Sequence, residues 1–137
     1  MSYLIDTNVM FELRKRQADA NLVAWMQARP RESLYLSVLS LGEIRKGIEG
    51  VADAAFRQTL TDWLEVDLPK YFLGRVLGVD AQIADRWGRL QASAGRTLPV
   101  VDAMLAATAL QHDLTLVTRN VKDFEGLGVQ LVNPWQD

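Results

Sequence analysis

Short apolar runs rich in β-branched residues recur along this chain with helical stretches between them, and that alternation is the strongest constraint on its fold. Strands are expected at 3–6 (Tyr3-Leu4-Ile5-Asp6), 34–37, 76–79, 115–118 and 129–132. Between them, Leu22, Trp25 and Met26 fall at helical spacing in 20–28. Phe56, Leu60, Trp63 and Leu64 do the same in 53–66, and Ile83, Trp87 and Leu90 in 81–93. Pro99 is placed to open a helix through Val101, Leu105, Ala109 and Leu110, because the fixed φ of proline suits a first turn. Strands separated by helices are joined by crossovers, and crossovers leave neighbouring strands parallel. The expected fold is therefore α/β: a three-layer α/β/α sandwich with a mostly parallel sheet of about five strands. The chain has 137 residues and no internal repeat, low-complexity tract or Pro/Gly/Ser-rich linker, so it reads as one domain over 1–137.

Composition removes several kinds of chemistry. With no cysteine there is no disulfide, thiolate metal site or thiol nucleophile, and a single histidine, His112, argues against a His-based zinc site or a Ser-His-Asp triad. A net charge of −2 and a pI near 5.4 count against a broad phosphate-gripping surface, while leaving room for a basic groove beside an acidic pocket. No charged leader precedes a long apolar segment, and no uncharged apolar run is long enough to span a bilayer. A cytoplasmic protein without a membrane segment is expected.

The remaining chemistry lies in acids placed just beyond strands. Asp6 ends the first strand and is followed by Thr7 and Asn8. At the carboxyl edge of an open α/β sheet, where ligands bind, that is a candidate site residue. Alone it is equally well read as a cap for the next helix. Glu43 follows the second strand in Ser37-Val38-Leu39-Ser40-Leu41-Gly42-Glu43. If Ser40 is the cap, Glu43 completes a capping box. If Ser37 is the cap, Glu43 falls in the second turn and projects from the helix wall beside Gly42 and Gly47. Asp102 sits in the first turn after Pro99, where the helix dipole favours an acid. The small residues Ala103, Ala106, Thr108 and Ala109 that follow imply a helix packed closely on the sheet. Thr118-Arg119-Asn120-Val121-Lys122-Asp123-Phe124 places more polar groups after a strand, although a plain turn capped by Asn120 explains that cluster taken alone.

Three acids at one sheet edge are better explained by one site than by separate coincidences. Clustered carboxylates repel and raise each other's pKa, so they are tolerated where a divalent cation neutralises them. Oxygen ligands without His or Cys select a hard ion, Mg²⁺ or Mn²⁺, and such an ion suits phosphodiester hydrolysis.

Four segments in sequence carry a resemblance: Leu4-Ile5-Asp6-Thr7-Asn8; Leu36-Ser37-Val38 through Gly42-Glu43-Ile44; Val101-Asp102-Ala103 with its alanine-rich continuation; and Leu116-Val117-Thr118-Arg119-Asn120 leading to Asp123-Phe124. In order and spacing the chain resembles the PIN-domain ribonucleases, particularly the VapC/FitB-type toxins of bacterial toxin–antitoxin pairs, and the terminal Val132-Asn133-Pro134-Trp135 is similar to the FitB-type branch. The resemblance implies metal-ligating carboxylates at Asp6, Glu43 and Asp102, with Thr7, Asn8, Ser37 and Thr118 holding them in place. The family's fourth acid usually falls where this chain has Asn120. A neutral amide there removes one negative charge, and Asp123, one helical turn on, could partly substitute. The resemblance also implies an RNA substrate, a homodimer and a small cognate antitoxin docking an apolar segment. Met10, Phe11, Leu13, Trp25 and Trp63 are candidates to line its groove. Arg14, Lys15, Arg16, Arg45 and Lys46 are candidates to grip phosphates, against the ordinary reading of a solvated charged face.

The expected function is thus a Mg²⁺- or Mn²⁺-dependent endoribonuclease acting as a toxin. The alternative is a non-catalytic PIN-like module that binds a partner protein or nucleic acid, to which Asn120 lends weight. Transfer through an aspartyl-phosphate at Asp6 ranks lower, since enzymes of that kind carry a second acid two residues on and this chain has Asn8.

Overall fold

The structure, a computed structural model, describes residues 1–136. Five strands form one sheet: β1 (Tyr3–Ile5), β2 (Leu34–Ser37), β3 (Val76–Leu77), β4 (Thr115–Val117) and β5 (Leu131–Val132), in the order β3-β2-β1-β4-β5. All four pairings are parallel, in register Tyr3↔Leu34, Leu36↔Val76, Leu4↔Leu116 and Leu116↔Leu131. From β1 the chain builds outwards to β3 on one side, then returns to build β4 and β5 on the other. The strand order therefore reverses between β1 and β4, a crevice where open α/β sheets take their ligands. The edge strands β3 and β5 are shorter than the runs 76–79 and 129–132 suggest, because an edge strand has a hydrogen-bonding neighbour on one side only.

Strand alternation divides the core into two layers. Ile5, Leu34, Leu36 and Val117 point to one face, where they meet Val9, Leu22, Ile44, Ile48 and Phe72. Leu4 and Leu116 point to the other and meet Leu105, Ala106, Ala109 and Phe124. Burying side chains of this size contributes roughly 1.5–3 kcal/mol each.

Helices α1 (Thr7–Leu13), α2 (Ala20–Gln27), α3 (Val38–Glu49), α4 (Ala54–Asp62) and α5 (Leu68–Tyr71) supply the first layer, and α6 (Ala81–Ser93) packs on α7 (Val100–Gln111) in the second. The short α8 (Val121–Phe124) follows β4. Side chains cap several helices at the expected positions: Asp19 accepts from Leu22 N–H, Asp53 from Ala55 N–H and Asp80 from Ile83 N–H. Pro99 immediately precedes α7, as expected. Small residues let α7 lie close to the sheet, with Ala103, Ala106, Ala107 and Ala109 fully buried.

The stretch 53–66 does not end where its periodicity fades. It widens into a π-turn over Trp63–Asp67, closed by Leu68 N–H on the Trp63 carbonyl, and continues into α5. Pro69 lacks the N–H that an α-helical ladder needs, so the chain changes register ahead of it. Among the described residues, no helix is long and apolar enough to cross a membrane.

Candidate metal centre and active site

The β1 strand ends at Asp6, whose backbone closes the ladder through its N–H on the Val117 carbonyl at 2.9 Å and starts α1 by accepting from Val9 N–H at 3.0 Å. The side chain makes no capping hydrogen bond of normal geometry to that helix. The Asp6 Oδ2 instead accepts from the Thr118 hydroxyl at 2.8 Å, across the β1/β4 crevice. Asp6 is 4% exposed, and burial pushes its carboxyl above the ordinary range. The Thr118 hydroxyl and the nearby Thr7 and Asn8 amides oppose that shift, while the Glu43 charge adds to it.

The α3 helix is capped by Ser37, whose hydroxyl accepts from Leu39 N–H at 3.0 Å. That places Glu43 in the second turn, on the helix wall, and rules out the capping box with Ser40. Glu43 Oε1 accepts from the Thr7 hydroxyl at 2.5 Å, and the same hydroxyl lies 2.7 Å from Ser40 Oγ. Ser40 and Glu43, one turn apart on α3, thus grip α1 together through Thr7. Gly42 has open space where a Cβ would stand. At Gly47 that space is filled, since a Cβ there would lie 3.2 Å from the Phe11 ring.

Asp102 is half-buried in the first turn of α7. Burial, followed by the charges of Asp6, Asp123 and Glu43, pushes its carboxyl up to about 6. Asp102 thus feels the charge of three other carboxylates, and among the described residues none of the four is in an ion pair. Oxygen donors with uncompensated negative charge and no nitrogen or sulfur among them match a hard divalent cation. As they stand, no three His, Asp or Glu side chains of the described residues are arranged closely enough to hold one ion. Glu43 and Asp6 are each turned to a threonine hydroxyl, so ligation by all would require the carboxylates to draw together.

Of the other residues singled out in the sequence, Thr7 and Thr118 hold carboxylates directly. Ser37 does not: its hydroxyl is spent on the helix cap. Asn8 and Asn120 are exposed. Asn120 occupies the cap position of α8 without a side-chain capping bond, and its N–H donates to Thr118 Oγ1 at 3.0 Å, fixing the hydroxyl that serves Asp6. Asp123 lies on α8, within electrostatic reach of Asp102.

The expected apolar groove is present with a changed membership. Met10, Leu13 and Trp63 line a groove of about 370 Å³ with Val23, Met26 and Phe72. Trp25 turns away, edge-on to Tyr3 and beneath the Arg29 guanidinium 3.9 Å from its ring, and Phe11 lies over Gly47 instead. The basic residues are partly spent. Lys15 pairs with Glu12 at 3.0 Å, Arg45 pairs with Glu65 at 2.5 Å, and Arg14 covers the Trp63 ring. Sequence reasoning weighed Ser40 only as a cap, although its position one turn before Glu43 already put the two on one face.

Comparison with known proteins agrees with this architecture. The family model described as the PIN domain matches residues 3–128. The chain is 33% identical to Toxin FitB of Neisseria gonorrhoeae, covering 98% of this chain and 99% of that protein. It is also 33% identical to a VapC ribonuclease of Sinorhizobium fredii, covering 97% of each. A crystal structure of FitAcB from Neisseria gonorrhoeae superposes with a TM-score of 0.92 at 31% identity, over 98% of this chain and 99% of that one.

Proposed function

The chain belongs to the PIN-domain family, and from that membership together with its acidic sheet edge we propose that it is a divalent-cation-dependent endoribonuclease, the toxin of a toxin–antitoxin pair. The observation that supports the reading is the position of Asp6 at the β1/β4 switch point, bonded to Thr118, together with the charges of Asp6, Asp123 and Glu43 that bear on Asp102.

Asp6, Glu43 and Asp102 would hold Mg²⁺ or Mn²⁺, with Asp123 as an outer contributor of charge. When bound, such an ion lowers the pKa of a coordinated water and neutralises charge on a phosphoryl oxygen. The chain's own contribution is orientation. Thr118 fixes one oxygen of Asp6, Thr7 fixes one oxygen of Glu43, and Ser40 fixes Thr7. Asp102, its carboxyl pushed up to about 6, is the carboxylate whose proton a bound cation would displace in mildly acidic solution. Asn120 contributes through its backbone, by setting the Thr118 rotamer. The apolar groove beside α1 suits an antitoxin segment, in keeping with a similar structure solved as a toxin–antitoxin complex from Klebsiella pneumoniae.

A non-catalytic PIN module is the second reading, favoured by an amide at residue 120 in place of an acid. Incubation of RNA with Mn²⁺ and either wild type or Asp6→Asn separates the two. Cleavage by wild type alone, abolished by EDTA, supports the nuclease. Equal cutting by both proteins, or indifference to EDTA, refutes it.

A further inference from the structure

We propose that the cleft lined by Asn8, Phe11, Glu12, Lys15, Arg119, Asn120 and Trp135 binds one nucleotide of single-stranded RNA beside the bond to be cut, with the Arg119 guanidinium as its phosphate anchor. The proposal rests on the endoribonuclease reading and extends it to substrate binding.

Placement is the first support. Asn8 lies two residues beyond Asp6 and Asn120 two beyond Thr118, so the cleft lies at the same carboxyl edge of the sheet as Asp6. Its volume of about 300 Å³ is at the low end for small-ligand pockets and suits a nucleotide.

The second support is that Arg119 is held in place and its guanidinium, among the described residues, has no polar partner. Its guanidinium stacks over the Trp135 indole, 5.2 Å from the ring centre. Trp135 is itself fixed at both ends of its peptide unit. Its N–H donates to Asn133 Oδ1 at 3.0 Å, and its carbonyl accepts from Asn21 Nδ2 on α2 at 3.0 Å. Among the described residues the Arg119 guanidinium makes no ion pair and no hydrogen bond, whereas Arg45, Arg57 and Arg89 are each paired to a carboxylate. Glu12, which lines the same cleft and feels the Arg119 charge, is hydrogen-bonded and paired elsewhere, to Lys15 at 3.0 Å and to the Asp19 N–H at 3.1 Å. A planar cation backed by an aromatic ring presents paired donors to a phosphate and a flat face to a base. Phe11, 37% exposed and seated over Gly47, supplies a second flat face in the same cleft.

Charge gives the third support. A polyanion must approach four carboxylates to be cut, and the protein as a whole is acidic. Arg119, without an ion pair among the described residues and at the same sheet edge, offsets that repulsion where the strand enters.

The test measures binding of a fluorescein-labelled single-stranded RNA by anisotropy in EDTA across a salt series, then cleavage of the same RNA in Mn²⁺. Arg119→Ala should weaken binding about tenfold and reduce the magnitude of the salt slope by about one. Trp135→Ala should act in the same direction, Trp135→Phe should restore most of the affinity, and in cleavage KM should rise with kcat little changed. Arg89→Ala, which removes an equal charge on α6, should leave affinity and slope at wild-type values. If wild type cuts RNA and Arg119→Ala and Trp135→Ala match it in both affinity and KM, the subsite is refuted while the nuclease stands, and the cleft is left to a protein partner. If wild type neither cuts nor binds the RNA, the nuclease reading and the subsite fall together.

Discussion

Asp102→Asn removes one charge from a cluster of like charges, and in EDTA at pH 7.5 the variant should be more stable than its parent by about 1 kcal/mol. The sign follows from linkage. The folded-state pKa of Asp102, about 6, lies above its ordinary value of 3.8, so between those two values the folded protein binds more protons than the unfolded chain. Stability is then full below pH 4, falls as pH rises towards 6, and stays low above it. The gap between 3.8 and about 6 corresponds to roughly 3 kcal/mol if nothing screens it. Asp102 is only half-buried, and solvent screening reduces that figure to about 1 kcal/mol. Urea unfolding at pH 7.5, 5.5 and 4 in EDTA measures it. The midpoint of the variant should exceed that of wild type at pH 7.5, and the advantage should vanish by pH 4. Saturating Mn²⁺ should reverse the order, because the cation stabilises the protein that retains the carboxylate. A variant no more stable than wild type at pH 7.5, or one whose advantage does not change with pH, would show that these carboxylates do not press on one another.

Other substitutions probe the supports of the site and the sheet. Thr118→Val leaves the buried Asp6 carboxylate without its donor and should lower stability by about 1–3 kcal/mol, much less in an Asp6→Asn background; a double-mutant cycle by urea unfolding reads the coupling. Leu116→Ala hollows the layer beneath α7 and should lower stability by about 2–5 kcal/mol in the same assay. Ser37→Ala removes only the α3 cap, so it should lower stability by about 1 kcal/mol and leave RNA cleavage per folded molecule unchanged.

Much of this was legible in the sequence because the signals are local. The alternation of Leu4 and Ile5, or Leu116 and Val117, announces a strand buried on both faces, and the helical stretches between strands force parallel pairing. From there the sheet edge and the acids beyond it follow. Side-chain partnerships were less accessible, because they depend on how helices meet. Nothing local to Thr7 says that it will donate to Glu43 while touching Ser40, and nothing at Trp25 says that it will turn to Tyr3 and Arg29 rather than into the groove. Ser37 shows the limit most simply. The residue that correctly predicts the register of α3 spends its hydroxyl on doing so, and has none left for a carboxylate. The Arg119–Trp135 stack joins a β4 turn to the C-terminal segment, and no periodicity encodes such a contact.

The central claim is that acids distant in sequence form one cation site, and calorimetric titration of Mn²⁺ into the protein tests it most directly. Wild type should bind at millimolar concentration or tighter, releasing protons at pH 6 as Asp102 ionises, and Asp6→Asn and Asp102→Asn should each bind at least tenfold more weakly. No binding by wild type at millimolar Mn²⁺, or equal binding by all three proteins, would contradict the account.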